Sequence, residues 1–146
     1  MAIEQGQCTI FYQNVLSGLE NFNTGTSYIY KIALYTGLAN LNNSTLVYTT
    51  QNEVTGSGYT AGGKVLTVTQ TPTSDFSNST SFISFDNVVW NPASFTARCA
   101  LIYNSTTNAA VAVLDFGSDK TNTAAGTFTV TFPTATSTNA IIRFSN

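Results

Sequence analysis

The stretch TFTVTFP, residues 127–133, alternates between apolar and polar side chains up to its final proline. Phe128, Val130 and Phe132 fall on one face of an extended chain, and the threonines fall on the other. This period of two is typical of a β-strand with one buried face and one solvated face. The C-terminal part of the chain is therefore expected to form sheet rather than helix.

Seven other segments have strand-like composition and are separated by turn-forming residues. They are YIYKIALYT, LVYTT, KVLTVTQT, SFISFDNVVW, TARCALIYN, AAVAVLDFG and NAIIRFS. About eight antiparallel strands with short connections predict an all-β fold, a β-sandwich or jelly roll. TARCALIYN and AAVAVLDFG are apolar on both faces, which predicts central strands covered on both sides.

One segment, from Cys8 to Phe22, has helical spacing instead. Phe11, Val15, Leu19 and Phe22 recur three or four residues apart, and Thr9 is a candidate N-cap. Gly18 and the Asn-rich stretch after it should end the helix. We expect one short N-terminal helix against a single domain of residues 1–146, with an N-terminal segment at 1–26 and the β-sandwich at 27–146.

Charge is scarce, because only 8% of the 146 residues are charged and the net charge is −2. This leaves no basic footprint for nucleic acid or for an anionic membrane, and no apolar run approaches the length of a membrane span. Neither partner is expected. Weak self-repulsion favours association with other proteins, including copies of the same chain.

The stretch VTGSGYTAGGKV, residues 54–65, resembles the start of a phosphate-binding loop, since Gly58, Gly63 and Lys64 have the required spacing. However, Val65 stands where such a loop has Ser or Thr, and a strand-like segment follows where a helix is needed. We therefore interpret these glycines as a turn between strands and expect no nucleotide cofactor.

Residues for catalysis are few. The chain has no histidine, which removes the commonest general base and metal ligand. Asp115 directly precedes FGSDK and Asp119 lies within it; the two could hold calcium, but a solvated turn is favoured. A glycosidase pair drawn from Glu53, Asp75, Asp86 and Asp115 stays open, although their spacing does not argue for it. No enzymatic activity, metal or cofactor is expected.

Arg98 and Asp115 each interrupt one of the two apolar strands. An isolated charge there is costly, so the two are predicted to form a structural ion pair or to lie at strand ends. Cys8 and Cys99 are far apart in sequence and are expected to be small buried hydrophobes rather than a disulfide.

Five aromatic residues are candidates for a protein interface. Tyr35, Tyr48 and Tyr59 flank polar loops, where a ring can bury area while its hydroxyl stays hydrated; partly exposed packing is the alternative. Phe11 and Tyr12 belong to the predicted helix, which is too short to be stable alone. If the helix completes an interface instead of the chain's own core, the sheets should stay folded without residues 1–22.

Several stretches resemble small virion proteins of tailed bacteriophages. They are IFYQNVLSGLENF, YKIALYTGLANLNNSTLVYTTQNEVTGSGYTAGGKVL, ARCALIYNSTTNAAVAVLDFGSDKT, TFTVTFP and AIIRF. The resemblance covers about residues 8–144. Its most specific parts are ALYT, the EV-GSGY-AGG stretch and ALIYN…AVAVLDFG. It implies a structural protein without catalysis.

Within that family the expected function is a capsid cement (decoration) protein on the head surface of the virion. Its partner would be the major capsid protein, and a trimer would match the three-fold points of the head lattice. The alternative is a tail or fibre component that binds a host surface glycan or protein. A glycan site predicts an exposed aromatic beside carboxylates or amides in one loop cluster, whereas a cement role predicts contacts over termini and strand edges.

Overall fold

The computed structural model describes residues 3–146, so Met1 and Ala2 lie outside the described part of the chain. The described elements are one helix and ten strands. They are β1 (Gly6–Gln7), α1 (Thr9–Leu16), β2 (Tyr30–Tyr35), β3 (Lys64–Val65), β4 (Val68–Asp75), β5 (Thr80–Phe85), β6 (Val88–Ala93), β7 (Thr96–Asn104), β8 (Ala109–Thr121), β9 (Gly126–Val130) and β10 (Ile142–Ser145). The prediction of an all-β fold with one short N-terminal helix is confirmed.

The strands form three antiparallel sheets. The largest has five strands in the order β1-β8-β7-β2-β3. A three-stranded sheet, β10-β5-β4, and a two-stranded ribbon, β6-β9, also contribute side chains to the larger core. This core also takes in Phe11 from α1 and Ile142 from β10, so both ends of the chain contribute to it.

The five-stranded sheet is covered on both faces, as the apolar strands predicted. On β2, Ile32 and Leu34 point into the larger core, while Ala33 and Tyr35 point into a second core on the opposite face. Residues of β7 and β8 divide between the same two cores. The long connection 36–63 supplies much of the second cover, with Leu41 buried in it. Cys8 and Cys99 are buried there as free thiols, as expected.

The helix is shorter than the sequence pattern predicted. It begins at Thr9, so the N-cap is Cys8 rather than Thr9, and it has no side-chain cap. It ends at Leu16, and Gly18 follows with a positive φ of 73°. Phe22 nevertheless packs inside, because an irregular segment carries its ring onto Tyr30, with the ring centroids 4.2 Å apart.

Three predicted strands differ from the structure. LVYTT is a loop whose backbone pairs with β8 at the isolated bridge Val47–Ala109. KVLTVTQT divides into β3 and β4, and SFISFDNVVW divides into β5 and β6. The predicted turn FGSDK instead lies within β8, where Phe116–Asp119 bulge outward opposite Arg98 alone.

Candidate protein interface

Within residues 3–146, no three His, Cys, Asp or Glu side chains are grouped as metal ligands. Asp75 closes the β4–β5 hairpin by accepting hydrogen bonds from Asn78 and Ser137, and Asp86 lies exposed between β5 and β6. Glu53 and Asp115 belong to the two local networks described next.

Glu53 is buried beneath the glycine-rich loop, and three donors satisfy its carboxylate. The hydroxyls of Tyr48 and Tyr59 each donate at 2.6 Å, and the backbone N–H of Gly62 donates at 2.7 Å. The Tyr59 hydroxyl also accepts the N–H of Leu34. Burial, followed by the hydrogen bond to Glu53, raises the pKa of Tyr59. This network fastens the loop to the sheet.

The loop that resembles a phosphate site is a structural turn, as the sequence analysis concluded. Gly63 has a φ of 73° and lies so close to β2 that a Cβ there would collide with the carbonyl oxygen of Ile32. Lys64 lies in a strand, and its ammonium donates to the carbonyl of Val89 at 2.6 Å and lies over the ring of Trp90. The lysine therefore already has internal partners.

The structure shows which of the predicted interface residues are accessible to a partner. Phe11 and Tyr35 are fully buried, so neither can contact a partner of the folded chain. Tyr48 and Tyr59 are partly buried, and their hydroxyls are engaged by Glu53. Tyr12 alone of the five has an exposed ring, at 43%.

The predicted Arg98–Asp115 ion pair is present. Arg98 Nε lies 3.2 Å from Asp115 Oδ1, with the side chains 31% and 25% exposed. The N–H of Gly117 donates to the same carboxylate. This backbone hydrogen bond and Arg98 hold the pKa of Asp115 below its usual value. Because the pair is only partly buried, its contribution to stability is expected to be small.

An exposed apolar surface lies where α1 meets β10. We call it the helix patch and define it as Tyr12, Val15, Leu16, Leu19 and Phe144. Each of these side chains is at least 36% exposed, and Leu16 reaches 89%. Tyr12 and Leu16 are one helical turn apart and so share a face of α1. The ring of Tyr12 lies 5.7 Å from that of Phe144, which joins the helix to the last strand.

A depression of about 240 Å³ extends the helix patch toward β5. Val15 and Phe144 line one part of it, and Phe22, Pro72 and Phe82 line another. None of the five patch residues carries a charge. Tyr12, Val15 and Phe144 are neighbours in this surface. Adjacent exposed apolar side chains mark interaction sites in folded proteins, whereas single ones are ordinary. The helix patch is therefore the candidate functional site.

The β4–β5 hairpin carries a second exposed aromatic at its tip. Phe76 is 90% exposed and follows Asp75 directly. The carboxylate of Asp75 already accepts hydrogen bonds from two backbone N–H groups, from Asn78 Nδ2 and from Ser137 Oγ. The carboxylate beside Phe76 is thus already engaged by groups of the same chain.

Sequence reasoning missed Leu16, Phe144 and Phe76 as surface residues. The helical spacing predicts that Val15 and Leu19 share a face with the buried Phe11, but both are exposed. The signal for Leu16 was present, since it breaks the spacing of Phe11, Val15 and Leu19. Phe76 lies among Ser, Asp and Asn, which indicates a turn, but the local sequence does not predict that its ring is exposed.

Comparisons with protein-family models, with curated proteins and with solved structures find no match to this chain. Among the described residues, no helix combines the length and apolarity that crossing a membrane would take.

Proposed function

We propose that this chain is a capsid cement (decoration) protein that binds the outer surface of an assembled phage head through the helix patch. The observation that carries the proposal is the uncharged apolar surface formed by the N-terminal helix and the C-terminal strand. A cement role predicts contacts at termini, and both elements of the patch lie near an end of the chain. The resemblance of the sequence to small phage virion proteins supports the same function.

The mechanism is the addition of buried area across seams between copies of the major capsid protein. A ligand that binds only the assembled state stabilises that state by mass action. Leu16, one helical turn from Tyr12, would supply the apolar anchor of each contact, and modest contacts add up over a repeating lattice. A trimer of the chain would engage three capsid subunits at a three-fold point.

Co-sedimentation tests this proposal directly. The purified chain is mixed with emptied heads of the parent phage, and its oligomeric state is measured separately by light scattering. Saturable sedimentation with heads, and not with host cells, is the expected result. Binding to host cells without sedimentation on heads would contradict the proposal.

The alternative function is a tail or fibre component that binds a host surface glycan. Phe76 favours it in part, because an exposed aromatic lies beside a carboxylate and an amide in one hairpin. The engagement of Asp75 by four donors argues against it, since this carboxylate is already occupied by groups of the chain itself. A glycan array distinguishes the two: the cement proposal expects no binding, and the alternative expects loss of binding in Phe76→Ala.

A further inference from the structure

Two consecutive strands, β8 and β9, diverge instead of pairing. Only residues 122–125 connect them, yet β8 belongs to the five-stranded sheet and β9 pairs with β6 in the opposite layer. A groove of about 560 Å³ opens between them. One wall comes from β8 and the other from residues 127–133. The β8 residues that line it are Leu114, Asp115, Phe116 and Lys120, and Gln5, Asn122 and Ile141 complete the lining.

The backbone of β9 presents unpaired groups on the groove side. Val89 of β6 lies opposite Thr129, between the opposed pairs Val88–Val130 and Trp90–Phe128. In an antiparallel pair, opposed residues alternate between bonding each other and directing their backbone groups outward. The N–H of Phe132 donates to Asn87 on the β6 side. By alternation, the backbone groups of Val130 and Phe128 also face β6. The N–H and C=O of Thr129, and by alternation those of Thr131, therefore face the outer edge of β9.

This edge has few of the usual protective devices along its middle, because proline enters only at Pro133 and the irregular pairing with β6 lies at the other end, between Trp90 and Ala93. Natural edge strands are blunted by lysine, proline, bulges or a covering segment. The run from Thr127 to Phe132 contains no charge and no proline. The facing edge of β8, by contrast, is blunted: Phe116–Asp119 form its bulge, and the side chain of Gln5 covers the N–H of Asp115. One wall of the groove is thus available for strand pairing and the other is not.

The side chains of the groove add selectivity. Apolar residues from both walls meet inside it, with the rings of Phe116 and Phe128 6.3 Å apart. Of the two charged residues that line it, Asp115 is neutralised by Arg98, whereas the ammonium of Lys120 contacts only the hydroxyl of Ser118. The groove therefore combines apolar side chains with the threonines of β9, and its one unpaired positive group among the lining residues is Lys120, where β8 approaches the turn into β9.

We propose that this groove binds an extended segment of another polypeptide, which adds as a strand to the free edge of β9. Main-chain hydrogen bonds to Thr129 and Thr131 would hold the segment, and alternate apolar side chains would enter the groove. An acidic side chain of the segment would lie near Lys120, at the Thr127 end of β9. This site is separate from the helix patch, and the inference does not depend on the cement function.

The experiment selects binders to the full chain from a displayed library of random twelve-residue linear peptides. The most enriched peptide is then synthesised, and its dissociation constant is measured by fluorescence anisotropy. The inference expects enriched sequences with alternating β-branched or aromatic residues, no internal proline and an acidic residue at one end. Amide chemical shifts of the chain should change at 114–120 and 127–133.

Three variants identify the binding mode. Thr129→Pro removes an edge N–H without touching the pairing with β6, and should weaken binding by about tenfold or more. Thr129→Val keeps that N–H and is the matched control, expected to bind like the parent. Lys120→Glu should weaken binding of the acidic peptide and favour a peptide with lysine in its place.

Any one of three results would overturn the inference. They are failure to enrich any peptide, shift changes outside the groove, or equal affinity of Thr129→Pro and Thr129→Val when both retain the parent's circular dichroism spectrum. Self-association abolished by Thr129→Pro, with no peptide enriched, would assign the edge to a second copy of the chain and reject the proposed occupant.

Discussion

The rings of Phe11 and Phe144 stack 5.7 Å apart, with their planes inclined by 18°. Phe11 belongs to the first helix and is fully buried, whereas Phe144 belongs to the last strand and is 36% exposed. The pair therefore connects the larger core to the helix patch. Because α1 completes the chain's own core, the patch is a rigid part of the domain and not a detachable arm.

The first prediction concerns this anchoring. Phe11→Ala should lower the free energy of unfolding by about 3–5 kcal/mol, because it leaves a cavity where α1 meets the sheets. Deletion of residues 1–22 should destabilise the sheets as well, contrary to the expectation from sequence, since Cys8, Phe11 and Phe22 are all buried. Urea denaturation followed by tryptophan fluorescence measures both. A truncated chain as stable as the parent would contradict this account.

The second prediction concerns the hydroxyl of Tyr59. Tyr59→Phe should cost about 1–3 kcal/mol, because it leaves the buried N–H of Leu34 without its acceptor and removes one donor to Glu53. Tyr48→Phe is the control, since it removes a donor to the same carboxylate but orphans no backbone group, and should cost less. Equal losses of stability in the two variants would argue against this reading of the network.

The third prediction concerns the ion pair. Arg98→Met should lower stability by no more than about 1 kcal/mol, because the pair is partly exposed. Asp115→Ala should cost more, since it also removes the acceptor for the N–H of Gly117. Thermal denaturation of the two variants gives this order. A larger loss for Arg98→Met would mean that the pair is more desolvated than its exposure indicates.

The fourth prediction is a dependence of stability on pH through Glu20. One oxygen of Glu20 accepts hydrogen bonds from Tyr30 and Asn104, and the other is buried without a partner. Burial raises the pKa of Glu20, and the hydrogen bonds only partly oppose that shift. The folded state thus favours the protonated acid. This contribution to stability is full below the unfolded pKa of about 4.3 and is lost as the pH rises through the higher folded pKa.

Comparison of the parent with Glu20→Gln across pH 3–8 isolates this effect. The free energy of unfolding of the parent, relative to the variant, should fall as the pH rises above about 4. A relative stability that is constant across this range, or that increases with pH, would contradict the prediction.

The sequence predicted the architecture better than the surface. The alternation in TFTVTFP and the two strands that are apolar on both faces predicted the fold class and the central strands. They could do so because the side-chain pattern of a strand reflects whether one or both of its faces are buried. It also indicated that Arg98 and Asp115 would meet, since an unpaired charge in such strands is costly.

Features set by tertiary packing were not predictable in this way. Tyr35, Tyr48 and Tyr59 flank polar loops in the sequence, but the long connection folds back over the sheet. It brings the carbonyl of Thr49 to the hydroxyl of Tyr35 and brings Glu53 to the hydroxyls of Tyr48 and Tyr59. The helix patch depends on β10 packing beside α1, a contact between residues more than a hundred positions apart. Local periodicity contains no information about such pairs.

The most direct test of the proposed function is co-sedimentation of Leu16→Glu with emptied phage heads, beside the parent and Leu38→Glu. Leu16 and Leu38 are 89% and 60% exposed, so neither substitution should disturb the fold, but only Leu16 lies in the helix patch. We predict that the parent and Leu38→Glu sediment with heads, and that Leu16→Glu loses at least about tenfold in affinity, as expected for a charge placed in an apolar anchor. Equal sedimentation of all three, or no sedimentation of the parent, would contradict the account.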